Sequence, residues 1–145
     1  MHELTTFQWL YIFELTAPVF YRIKRGYLKN EEDRKTFLHF EEMETPHSPM
    51  IKEFLKRYNR GVFPFPKVVE IPAAVFSHII CLFGEKAMFY FEYLFEYEAV
   101  HVYTKLINNT KDDEFKKVNI ILRGEEIPHL QFFQKKLGKE IYKIE

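Results

Sequence analysis

The amino-acid sequence predicts an all-α fold: a four-helix bundle of two antiparallel helix hairpins joined by one long crossover. Three observations lead there. Apolar residues recur at helical spacing through most of the chain, and no Val/Ile/Thr-rich alternating run reads as a strand. Short polar breaks at 26–30 and 108–110 mark hairpin turns, with a long Pro-containing stretch between them. Finally, Glu44-Thr-Pro-His47 and Glu126-Ile-Pro-His129 repeat one Glu-x-Pro-His pattern, and each follows a further glutamate, Glu14 or Glu96, by 30 residues.

A first helix is predicted over 3–25, stopped by Gly26. Asn30, followed by acidic residues, is a good N-cap for a second helix reaching about residue 58. The segment 59–83 carries Pro64, Pro66 and Pro72 and reads as a connection containing a short apolar helix. A third helix is predicted over 85–107, and a fourth follows the Asn108-Asn109-Thr110 turn and ends before Gly138. Short turns make each hairpin antiparallel, and the long crossover lets the second and third helices run parallel.

A length of 145 residues fits one domain, 1–145, large enough to bury a core without disulfides. Lys+Arg and Asp+Glu balance at 21 each, which removes the basic footprint expected of a nucleic-acid-binding protein. Cys81 is the only cysteine, so an internal disulfide and a Cys-based zinc site are excluded, and a reducing, cytoplasmic setting is expected. No secretory signal is expected from the first residues, which lack a basic run leading into an apolar core. The apolar stretch 62–84 is interrupted by Lys67, Glu70 and His78, short of the roughly 18 uninterrupted residues that argue for a membrane span. A soluble or peripherally membrane-bound protein is expected, and its oligomeric state stays open, a dimer included.

The repeated pattern is what a two-metal carboxylate site in a helix bundle needs: one Glu from each of two helices and a Glu-x-x-His pair from each of the others. Residues three apart on a helix share a face, so Glu44 aligns with His47 and Glu126 with His129. Four carboxylates and two imidazoles largely balance two divalent ions; an O-rich set without sulfur suits iron or manganese. A single Glu-x-x-His is weak, since chance alone places about one in such a chain, and a third does occur, Glu98-Ala-Val-His101. The joint spacing carries the information. Glu14 lies at helical spacing with Phe7, Leu10, Ala17 and Tyr21, Glu44 with Phe37, Phe40, Ile51 and Leu55, and Glu126 with Leu122, Leu130, Phe133 and Leu137. A solvated carboxylate would sit among polar neighbours; these sit on apolar stripes, where a bare charge is costly. In the third helix Glu92 lies one turn from Glu96 on the same face. Glu96 is preferred on the repeat spacing, with Glu92 as the alternative. Pro46 and Pro128 either kink their helices or start a new segment at the histidine. His2, His39 and His78 read as terminal, surface or packing residues; Glu98, His101 and Tyr103 are candidates for supporting the ligands.

These residues resemble the demethoxyubiquinone hydroxylase family, ferritin-like di-iron monooxygenases of quinone biosynthesis. Glu14, Ala17 and Tyr21 match a Glu-x-x-Ala-x-x-x-Tyr pattern in that family's first helix, and Glu44 to His47 its second-helix motif. Arg60 to Pro66 resembles its Arg- and Pro-containing connection, and Leu82-Phe83-Gly84 with Ala87-Met88 the step into its third helix, whose ligand falls at Glu96. Arg123-Gly124-Glu125-Glu126-Ile127-Pro128-His129 is similar to its last motif, Arg-Asp-Glu-Glu-Leu-Glu-His. The chain departs in a shorter interval from Glu96 to Glu126, Gly124 in an acidic position, prolines inside both motifs, and a bulky, Phe-rich third segment.

The resemblance implies a ferritin-like fold, two iron ions with manganese as the variant, and an O2-activating oxidoreductase with a monooxygenase's apolar, quinone-like substrate and an external electron donor. It further implies that Glu44 and Glu126 bridge the ions, that Glu14 and Glu96 are terminal ligands, and that His47 and His129 hold one ion each. The apolar segment 68–83 either packs on the bundle or forms the mouth for a lipid-like substrate. Competing readings are a rubrerythrin-like peroxidase, which lacks here a Cys-rich site to deliver electrons, and a ferritin-like iron-storage protein with ferroxidase activity.

Overall fold

A computed structural model describes residues 2–144. Six α-helices and no strand occur among the described residues: α1 (His2–Arg25), α2 (Glu31–Glu44), α3 (His47–Arg57), α4 (Pro66–Cys81), α5 (Glu85–Asn109) and α6 (Asp113–Lys136). They form two compact units, Met1–Leu82 and Phe83–Glu145.

In the first unit α1 packs against α2, α3 and α4. Asn30 caps α2 by accepting the amide N–H of Asp33, as its residue type predicts. The chain then runs back along α1: Tyr21 meets Phe37 edge to face at 5.3 Å, Glu14 meets His47, and Phe7 meets Phe54 at 5.6 Å. Rising numbers on α1 pair with falling numbers on the return leg, which makes the hairpin antiparallel. That leg is two helices rather than the single one expected over 31–58. Pro46 and Pro49 each lack an N–H, and two missing donors within one turn part the ladder between Glu44 and His47. The chain nonetheless keeps helical sense: Thr45 donates to the Glu41 carbonyl and Met50 to that of Pro46.

The crossover helix is longer than the short one expected, with 16 residues, and opens on Pro66 in its first turn, where a missing N–H is harmless. Its inward positions, Ala73, Ser77 and Cys81, are small and buried, and they admit α4 close to α1. There the buried Lys24 donates to the Ser77 hydroxyl at 3.1 Å and lies 4.5 Å from the Phe20 ring centroid.

In the second unit α5 and α6 form one hairpin. Phe89 with Phe133, Glu96 with His129, and Thr104 with Arg123 again pair rising with falling numbers. Val100, Ile127 and Leu130 make a buried cluster against which Tyr93 and Tyr142 pack. Gly84, at φ 92°, turns the chain into α5, and Gly138, at φ 65°, follows the end of α6; both conformations favour glycine. Unlike Pro46, Pro128 stays inside a continuous helix. It is a lone interruption, and the carbonyl it deprives belongs to Gly124, whose backbone tilts freely. No described helix is long and apolar enough to cross a membrane.

Candidate metal centre

The six residues singled out by spacing are all buried, none more than 1% exposed. Within the first unit Glu14 from mid-α1, Glu44 from the last position of α2 and His47 from the first of α3 converge. His47 Nδ1 lies 3.2 Å from Glu14 Oε2 and 3.0 Å from Glu44 Oε2. The Pro46 break thus sits inside the motif, between Glu44 and His47, and still delivers both to one spot. Within the second unit His129 Nδ1 lies 3.6 Å from Glu126 Oε2 and 3.8 Å from Glu96 Oε1.

In each cluster the three residues offer ligand atoms within 4.8 Å of one another. An ion with bonds of about 2.1 Å at angles of about 90–110° holds its ligand atoms roughly 3.0–3.4 Å apart. In the first cluster both distances from His47 have that spacing, and in the second His129 and its carboxylates need to draw in by a few tenths of an ångström. Both histidines turn the same nitrogen, Nδ1, toward the carboxylates. Each cluster could hold a metal ion, its donors two hard oxygens and an imidazole. The electrostatics of the second cluster point the same way. Burial, and then the negative Glu126 beside it, raise the Glu96 carboxyl to about 7, against the lowering pull of His129. A cation bound there would offset the charge that burial penalises.

Glu92 is also fully buried, one turn from Glu96, but Glu96 is the residue that meets His129 and Glu126. The third Glu-x-x-His is a surface feature: Glu98 and His101 are exposed, and His101 stacks on Tyr97. Neither supports the ligands, whereas Tyr103 is fully buried in the core. His2, His39 and His78 are exposed, and His78 pairs with the Tyr27 hydroxyl at 2.9 Å. Replacing His101 with Ala is therefore expected to leave metal stoichiometry unchanged in elemental analysis, while His129→Ala lowers it.

Beside the first cluster lies a cleft of about 370 Å³, lined by Tyr11, Leu15, Ser48, Pro49 and Pro66 among others. Leu15 and Ser48 are the sequence neighbours of Glu14 and His47. Of the mouth expected over 68–83, only Glu70 lines this cleft; Val75, Phe76, Ile79 and Phe83 are exposed elsewhere. Comparison with known proteins finds no matching family model, no matching curated protein and no matching solved structure.

Proposed function

We propose that the chain is a ferritin-like two-metal carboxylate oxidoreductase that uses iron to activate O2 against an apolar small molecule, as the demethoxyubiquinone hydroxylases resembled by its motifs do. The observation that carries this reading is the duplicated cluster: each hairpin buries two glutamates and one histidine with ligand atoms within 4.8 Å. A lone buried acidic residue is usually a packing accident, but two equivalent three-residue sets at equal sequence spacing are not. Iron, when bound, would bind O2 and pass to it the two electrons that each turnover takes from an external reductant.

The protein's own contribution is positional. As the resemblance implies, Glu14 and Glu96 would be terminal ligands, His47 and His129 would each hold one ion, and Glu44 and Glu126 would bridge. With its carboxyl raised to about 7, Glu96 is about half protonated at neutrality, so binding an ion there would release part of a proton. Buried apolar stripes around the ligands exclude water, and the cleft beside Leu15 and Ser48 admits the substrate.

Anaerobic loading with iron(II), elemental analysis, and O2 uptake with and without a lipid-quinone extract test the reading. Two ions per chain and extract-dependent O2 uptake are the expected result. One tetrahedral ion, or none, would overturn it. Uptake that tracks added iron(II) alone, with mineral retained, would make the protein a ferroxidase.

A further inference from the structure

An ordinary surface helix turns its large apolar side chains inward and its polar ones to water. Helix α4 does the reverse. Its buried positions are Ala73, Ser77 and Cys81, while Val68, Ile71, Val75, Ile79 and Leu82 are between 47% and 78% exposed. At 100° per residue these five fall within about 80° of arc, one straight stripe, with Phe65 and Phe76 along one edge. Together the seven side chains expose roughly 700 Å² of apolar surface, beyond what an unpartnered face usually shows and close to the ~800 Å² per partner of a standard interface.

We propose that this stripe is the contact surface for a second copy of the chain, with the two α4 helices packed antiparallel about a twofold axis at Val75. The extent of the stripe carries the assignment, because it approaches what each partner buries in a standard interface, and its spacing suits a twofold contact. From Val68 the steps are 3, 4, 4 and 3, which read the same in both directions from Val75. About a twofold axis residue i meets j and j meets i, and this spacing sets each bulky apolar side chain of the stripe against another. The axis places Val75 against Val75 of the second copy, Ile71 against Ile79, and Val68 against Leu82.

Charge favours a copy over a lipid surface. Helices that lie on anionic membranes carry Lys and Arg along the polar face. On α4 the charged side chains are Lys67 and Glu70, paired at 2.6 Å, and the one further titratable side chain flanking the stripe, His78, holds the Tyr27 hydroxyl. The antiparallel sense also keeps the two Lys67–Glu70 pairs at opposite ends and opposes the helix dipoles. This inference is independent of the metal sites.

Sedimentation equilibrium of the full chain, with a disulfide-trapping series, tests it. The wild type is expected to dimerise at micromolar concentration, and Val75→Glu to weaken the dimer at least ~100-fold by facing two charges across the axis, with helical circular dichroism unchanged because Val75 is 56% exposed. Val75→Cys should trap a disulfide dimer by itself. Val68→Cys and Leu82→Cys should do so only when mixed, since these positions lie about 21 Å apart along one helix. The buried Cys81 makes the wild type the blank. A monomer at all concentrations, a dimer indifferent to Val75→Glu, or self-trapping by Val68→Cys would each overturn the proposal. So would a monomer that floats with phosphatidylcholine–phosphatidylglycerol vesicles and loses that ability in Val75→Glu, which would assign the stripe to lipid.

Discussion

Metal-free protein is expected to lose stability as pH rises from about 4.5 to about 7, and Glu96 sets that window. Its carboxyl is raised from 4.5 to about 7 by burial first and by Glu126 second. In that range the folded chain holds a proton that the unfolded chain has released, so stability falls with rising pH. The contribution is fully present below the unfolded value and gone above the folded one. Its size is on the order of 3 kcal/mol, which for a chain of this length is a drop of roughly 10 °C in Tm. Urea unfolding in the presence of a chelator, at steps between pH 4.5 and 8, measures it. Glu96→Gln should flatten the profile; an unchanged slope would move the proton to another group. Metal reverses the dependence, because a cation needs the carboxylate: affinity should rise across the same window in which metal-free stability falls.

The same residue shows where sequence reasoning succeeds and stops. Glu96 and Glu92 sit one turn apart on one buried face, and helical periodicity does not separate them. The 30-residue repeat favours Glu96, and the partner that meets it, His129, comes from the other helix of the hairpin. By contrast the burial of Glu14 and Glu126 was legible because their stripes are apolar on both sides along a single helix, that of Glu44 because its stripe continues from α2 into α3, and Asn30 was legible because capping is a local interaction. Pro46 was ambiguous in one dimension, since a proline either bends or parts a helix. What decided it was Pro49, which removes a second donor from the same turn, while Pro128 has no such neighbour. Helix α4 was underestimated for a related reason. Its prolines read as breakers, although Pro66 falls at the tolerated first turn, and its apolar pattern marks the outward face while Ala73, Ser77 and Cys81 mark the inward one.

The largest effect on metal should come from Glu44→Gln and Glu126→Gln. Each change keeps the side chain's size and removes one formal charge from a cluster whose three donors lie within 4.8 Å. Even residues that only orient a ligand cost about 10–100-fold in affinity when lost, so removal of a charged ligand should exceed about 100-fold. If both residues bridge, either substitution empties both positions, and elemental analysis falls from two ions per chain toward none. Loss of one ion only would mean that the clusters bind separately and would remove the bridging roles. Unfolding does not mimic this outcome, because the sign of the stability change differs. A buried carboxylate without its cation is a desolvated charge, and Glu126 is one of the groups that push the Glu96 carboxyl upward. Glu126→Gln should therefore make the metal-free chain at least as stable as wild type above pH 7 while abolishing any stabilisation that added metal confers by mass action. Weaker metal binding in a chain that unfolds no more easily identifies a ligand; weaker binding together with easier unfolding would demote Glu126 to a packing residue.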